Sequence, residues 1–427
     1  MDRLQEEIKK SSNKMNNFIV FMKKFIFIFN KISARIQTLP KIVSEKKGGY
    51  KMKKKILSAL LCVAMVASLA VGCGSKETTA PAETTPAETT PAAETDAAAA
   101  TDAAEVATDA AMAVAGDYAD KKVGICIYKF DDNFMTLFRE ELVSYLVSLG
   151  FSESNITVMD SKNDQAEQTN QINNFITQGV DVMIINLVNS SAAATVTDTI
   201  NASGIPVVYI NREPEVAEEE RWAAEGIKAT YVGADARQSG TFQGEVLLDL
   251  GKDVVDINGD GKIQYIMIQG DPENIDAQYR TEYSIKALTD AGWEVELLGA
   301  VQRADWDQAT AQQKVQDALS QYGEKIEVVF CNNDAMALGA KQALDAAGRK
   351  VGEDVFLLGV DALTEALENV QAGAMTATVF NDHIGQSHQA ADAAVAFING
   401  EEVPTTYVVD YIKVTADNAA DILSKLQ

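Results

Sequence analysis

Between Asp256 and Gln264 the chain reads Asp-Ile-Asn-Gly-Asp-Gly-Lys-Ile-Gln, which puts side-chain oxygens at Asp256, Asn258, Asp260 and Gln264. Oxygen ligands at alternate positions, Gly261 at the sharp turn and Lys262 where a backbone carbonyl is offered match the first three-quarters of an EF-hand calcium loop. The closing bidentate Glu would fall at Met267, and a thioether cannot do that work. Either this is a turn rich in Asp, Asn and Gly, or its last ligand comes from elsewhere in the chain.

A second set of residues is scattered but chemically coherent. It comprises Lys129–Phe134, Asn186, the Asp271/Asn274/Asp276 group, Arg303–Trp306, Asn332–Asp334, Asp361 and Asn381. Any single Asp or Asn here is explained by capping a helix. Seven groups together, with Phe134 and Trp306 among them, suggest more. Carboxylates accept hydrogen bonds, Asn and Arg donate them, and aromatic rings cover apolar C–H faces. That combination suits a polyhydroxylated ligand such as a sugar, and it rejects analogues that leave a buried group unpaired.

The elements between these residues explain their grouping. Apolar runs at Val123–Tyr128, Ile156–Met159, Val182–Leu187 and Val207–Ile210 read as buried parallel strands. Segments of helical period lie between them at Phe134–Leu149, Ala166–Gln178 and Ala192–Ser203, each followed by a glycine. After Tyr231 the alternation resumes, with strands at Tyr265–Gln269, Val295–Gly299, Val328–Asn332 and Phe356–Val360. Strand and helix in alternation predict an α/β fold, here two doubly wound parallel-sheet lobes in series. Ligands of such sheets bind beyond the carboxyl ends of the strands, where the second set of residues falls.

Charge divides the chain. Residues 1–55 hold 15 basic and 4 acidic residues, and the remainder 22 basic against 58 acidic. The acidic balance argues against nucleic-acid binding. Met52–Lys55 is a positive n-region, Ile56–Val71 an uncharged apolar run, and Gly72-Cys73 ends it. This predicts a lipoprotein signal over 52–73 with Cys73 lipidated, although Ala70 stands where such signals usually carry Leu. A signal at Met52 makes 1–51 a mis-assigned N-terminal extension. Residues 74–117, rich in Ala, Thr, Glu, Pro and Asp, predict a disordered acidic linker with a reach on the order of 100 Å. Cys126 and Cys331 lie in apolar strands and are expected to be buried thiols.

Residues 121–427 resemble the bacterial periplasmic galactose/glucose-binding proteins. The segments that carry the likeness are Ile127–Met135 (Ile-Tyr-Lys-Phe-Asp-Asp-Asn-Phe-Met), Ile185–Val188, Asn332–Ala337, Gly359–Leu363 and Val379–Asp382. The resemblance implies a Venus-flytrap periplasmic binding protein of type I with a three-crossing hinge. Lobe one would be 118–206 plus 381–410, and lobe two 207–380 plus 411–427. It implies sugar contacts from Asp132, Asn186, Asn274, Asp276, Arg280, Asn333, Asp361 and Asn381, with Phe134 and Trp306 sandwiching the ring. Asn274 stands where the family usually has His, a departure that bears on which hexose is preferred. In that family a distant Glu completes the calcium loop, which here would be Glu327, joining Asp256, Asn258, Asp260, the Lys262 carbonyl and Gln264 around a structural calcium ion.

The implied function is capture of galactose or glucose by a monomer, lipid-anchored on the extracellular face of the cytoplasmic membrane, for the membrane subunits of an ABC importer. A chemoreceptor is a further partner that the resemblance leaves open. The alternatives are another hexose or pentose, or a sugar sensor. A sugar-active enzyme could use paired carboxylates such as Asp132 and Asp361. Against an enzyme, only His383 and His388 are available, and no Walker, His-Glu-x-x-His or Gly-x-Ser-x-Gly signature is present. A repressor of related fold would need a basic helix-turn-helix ahead of the first sheet, where this chain has a signal and an acidic linker.

Overall fold

The computed structural model describes residues 118–426. The expected extension 1–51, the signal 52–73 with Cys73 and the linker 74–117 lie outside the described residues. Among the described residues no helix is long and apolar enough to cross a membrane.

The first lobe is a six-stranded parallel sheet. β1 (Val123–Ile127) is buried at all five positions, as expected of a central strand covered on both faces. β2 (Ile156–Asp160) flanks it on one side. On the other lie β3 (Val182–Ile185), β4 (Val207–Ile210), β5 (Ala229–Gly233) and finally the late strand Thr406–Val408. The pairing is parallel throughout, with Val123 opposite Ile156 and Val182, Val207 opposite Met183 and Ala229, and Thr406 opposite Tyr231. Separate apolar clusters cover the two faces.

This sheet corrects the lobe boundary. Residues 207–233, expected in lobe two, belong to lobe one, because β4 and β5 continue its ladder. A four-residue apolar strand reads the same in either lobe, and only its pairing partner decides. The helix Val216–Glu225 between them was hidden by its charges. Its anchor is Trp222, fully buried and stacked on Tyr209 at 5.2 Å, with the indole N–H donating to Glu218 at 2.7 Å.

The second lobe is built around β6 (Lys262–Gln269). β9 (Val328–Cys331) and then β10 (Phe356–Leu358) lie on one side of it. β7 (Glu294–Leu297) and the short β8 (Gln302–Arg303) lie on the other, all parallel. Again both faces carry apolar clusters. The doubly wound two-lobed α/β architecture is the one the alternation predicts.

The chain passes between lobes after β5, again between Phe380 and the helix His383–Asn399, and a third time between Val408 and Ile412. Strands Thr378–Phe380 and Ile412–Val414 pair antiparallel at this junction. Cys126 and Cys331 are buried free thiols, and burial pushes the Cys126 thiol up to about 12.

Candidate functional site

A cavity lies between the carboxyl ends of the two sheets. It is lined by Asp132, Phe134, Asn274, Asp276, Arg280 and Trp306, together with Asn333, Asp361 and Asn381. Its free volume is about 30 Å³, far below the roughly 300–1,000 Å³ of open ligand pockets, so a ring enters only when the lobes part.

From lobe one, Asp132 caps the helix Asn133–Ser148. One carboxylate oxygen accepts from Met135 N at 2.8 Å, and the other accepts from the Tyr128 hydroxyl at 2.6 Å. The cap fixes Asp132 and starts the helix so that Phe134 follows at its first turn. His383 meets the Phe134 ring edge-on at 6.3 Å.

Asn186 departs from expectation. It is fully buried behind the wall and does not line the cavity. Its carboxamide accepts from Tyr128 N at 3.2 Å and donates to Ile210 O at 3.1 Å and to Asn211 Oδ1 at 3.2 Å. Asn211 takes the place at the surface, in a left-handed conformation with φ of 61°. Arg212 beside it was also missed from sequence. Its guanidinium stacks on the Tyr128 ring at 3.6 Å, donates to Val188 O and lies 3.6 Å from Asp271 of the other lobe. The dipeptide Asn211-Arg212 directly after β4 was the available signal, obscured once β4 was assigned to the wrong lobe.

From lobe two, Asn274 and Asn333 each cap a helix, accepting from Asp276 N and Met336 N at 3.0 Å. Arg280 donates to Asn332 O at 2.8 Å and to the Tyr411 hydroxyl at 3.0 Å, and sits 3.8 Å from Asp361. Asn381 donates to Asp361 at 3.2 Å and accepts from Gln386 at 2.6 Å. Trp306 has φ of 65°, and its ring lies so close to Gly270 that a Cβ there would stand 2.3 Å from it. Only glycine permits that approach.

Three buried polar atoms on cavity residues have no protein partner: Asp276 Oδ1, Arg280 Nε and Arg212 Nη2. An orphaned buried acceptor or donor costs about 1–3 kcal/mol. One acceptor and two donors in one small cavity describe a ligand that both donates and accepts hydrogen bonds.

Burial raises the Asp276 carboxyl to about 6, against the pull of Arg280 and Arg212, and raises Asp361 to about 8 against Arg280. Both groups hold their protons more tightly folded than unfolded. Their contribution to stability is therefore full below about pH 4, and is lost as pH rises through about 6 for Asp276 and about 8 for Asp361. The melting temperature without ligand is expected to fall from pH 5 to 8.5, and a neutral ligand that donates to these carboxylates should flatten the fall. A melting temperature that rises over this range contradicts the assignment.

The oxygen-rich loop sits apart from this cavity. Glu327, buried just before β9, accepts from Asn258 N at 3.0 Å and from Gln264 N at 2.8 Å. Asp256 accepts from Asp260 N at 3.1 Å and Gly261 N at 2.8 Å. Gln264 accepts from the Asn258 amide and donates to Asp260, both at 2.7 Å. Among the described residues no three carboxylate, imidazole or thiol groups form an ion site by themselves. Any ion here needs the Asn258, Gln264 and Lys262 carbonyl oxygens as well. An all-oxygen set of this size fits calcium rather than a softer metal. Burial pushes the Glu327 carboxyl up, and a cation would relieve that cost.

Two parallel-sheet lobes with a polar cavity between their strand ends define a hinged binding protein. The chain belongs to the family described as periplasmic binding protein domain, which matches residues 123–402. It is a binding protein, not an enzyme. It is 35% identical over 317 residues to the D-galactose/methyl-galactoside binding periplasmic protein MglB of Haemophilus influenzae, covering 71% of this chain and 92% of that one. The ribose import binding protein RbsB of Bacillus subtilis is 29% identical over 254 residues, 59% of this chain and 74% of its own. Among solved structures, an ABC transporter solute binding protein from Bacillus halodurans with bound myo-inositol superposes with a TM-score of 0.63 at 28% identity, covering 73% of this chain and 99% of that one.

Proposed function

We propose that this protein captures a hexose, D-galactose or D-glucose, in the inter-lobe cavity and delivers it to an ABC-type importer. The observation that carries the reading is the cavity itself. It is walled by carboxylates, guanidinium and carboxamide groups, with Phe134 contributed by one lobe and Trp306 by the other. The 35% relative named for galactose supports the choice of hexose, while relatives named for ribose and bound to myo-inositol keep pentoses and cyclitols as the alternative. Asn274 at the cavity wall offers a carboxamide where the resembling proteins usually have imidazole, and it bears on the choice between the two hexoses.

Hinge closure about the three crossings would present the ligand-bound form to membrane partners. A lipidated Cys73 with the tract from Gly74 onward as a linker would give an extracellular, lipid-anchored monomer. A thermal-shift panel of galactose, glucose, ribose, xylose and myo-inositol tests the reading. The largest upward shift is expected with a hexose, and a shift with ribose or xylose alone would reject it.

Asp256, Asn258, Asp260, the Lys262 carbonyl, Gln264 and Glu327 would hold calcium as a structural ion. Such an ion would tie the loop ahead of β6 to the start of β9 and leave the sugar untouched. Chelation is expected to lower the melting temperature by roughly 5 °C or more. Glu327→Gln should abolish that sensitivity. An unchanged melt on chelation of the calcium-loaded protein would count against the ion.

A further inference from the structure

Next to the inner cavity, and sharing Tyr128 and Trp306 with it, lies a second and larger chamber at the mouth of the cleft. Its free volume is about 510 Å³, against about 30 Å³ for the inner one. Both lobes build it. Lobe one supplies Phe130, Asp131, Asp160 and Asn163, and lobe two supplies Asp271 and Arg303.

Its walls are fixed rather than loose. The turn after β2 is tied to β1 by Ser161 N donating to Ile127 O at 2.8 Å and Asn163 N to Tyr128 O at 2.7 Å. Opposite, Ala304 N donates to Gln269 O at 2.8 Å. Each wall carries two consecutive non-glycine residues in the left-handed region: Lys162 and Asn163 at φ of 54° and 55°, Asp305 and Trp306 at 53° and 65°. Such residues cost of order 1–3 kcal/mol each and collect where a ligand has to be met.

The chemistry of the lining repeats that of the inner cavity. Lys129, Lys162 and Arg303 stand against Asp131, Asp160, Asp271 and Asp305, three cations against four carboxylates. That near-balance suits a neutral ligand rather than a phosphate. Phe130 adds an aromatic ring, backed on one side by Arg139 at 4.1 Å. Asp271 links the two chambers, lying 3.6 Å from Arg212 of the inner one and 3.2 Å from Arg303 of the outer.

We infer that the outer chamber is a second subsite, and that the protein accepts hexoses extended through a glycosidic oxygen by a second sugar ring. The inference rests on the hexose reading of the inner cavity. On that reading the inner cavity takes one ring between the lobes, and an attached ring has the outer chamber to enter, with carboxylate, carboxamide and guanidinium groups to meet its hydroxyls.

The test titrates the full chain with galactose, glucose, lactose and melibiose. The two disaccharides offer either hexose to the inner cavity and extend it from different carbons. At least one is expected to bind within tenfold of the better monosaccharide. Asp131→Ala, and separately Phe130→Ala, should weaken that disaccharide about tenfold while holding the monosaccharide within about twofold. Monosaccharide binding with neither disaccharide overturns the subsite and leaves the hexose reading standing. Equal loss of both ligands in both variants overturns it too, because the residues then act through the inner cavity. Silence from all four sugars removes the hexose reading, and the subsite with it.

Discussion

Trp306→Ala is expected to weaken hexose binding at least a hundredfold, about 3 kcal/mol, with the fold intact. The side chain packs against apolar clusters of both lobes and lines the inner cavity. It is held there by a left-handed backbone and by the bare face of Gly270. Its removal would take away one face of the proposed ring sandwich and admit water to the hydrogen bonds. The neighbouring cap survives, because Asp307 still accepts from Thr310 N at 2.7 Å to start the following helix. Trp306→Phe should recover part of the affinity through stacking alone. Far-UV circular dichroism with a sugar titration checks both variants, and an alanine variant within threefold of the parent would remove Trp306 from the site.

Asp276→Asn is expected to separate binding from stability. The Asp276 carboxylate is buried, and Oδ1 has no protein partner. A charge-assisted bond from a ligand hydroxyl would satisfy it, and replacing the charge should cost roughly 1.5–3 kcal/mol of affinity, tenfold to a hundredfold. Without ligand the same charge is a burden, since burial holds its carboxyl at about 6. The isosteric amide removes that cost near neutral pH, and the ligand-free protein should gain roughly 1–2 kcal/mol and several degrees in melting temperature. The part of the stability loss between pH 4 and 6 that comes from Asp276 should vanish as well. Loss of affinity together with loss of stability would show Asp276 to be structural.

The elements that were legible in the sequence are those whose signal is local. Buried strands such as Val123–Ile127 announce themselves as unbroken apolar runs, and helix starts at Asp132, Asn274 and Asn333 carry their caps in the residue type. These caps are also cavity residues, so the same Asp and Asn that mark element boundaries marked much of the wall. What was not legible depends on pairing. The boundary implied by the resemblance puts β4 in lobe two, although the alternation groups Val207–Ile210 with the three strands before it, and its pairing with β3 and β5 decides for lobe one. With β4 went Asn211 and Arg212, the residues that follow that strand into the cleft. Asn186 was assigned to the surface because a polar residue after a strand reads the same whether it faces a ligand or braces a neighbour. Here it braces Tyr128 and Asn211.

The central claim is that the inner cavity binds a hexose without transforming it. Isothermal titration of the purified protein with galactose and with glucose tests it most directly, with the sugar recovered and analysed afterwards. The account predicts one-to-one binding heat with at least one of the two and the sugar returned unchanged. No heat with either, and heat with ribose or xylose, would contradict it.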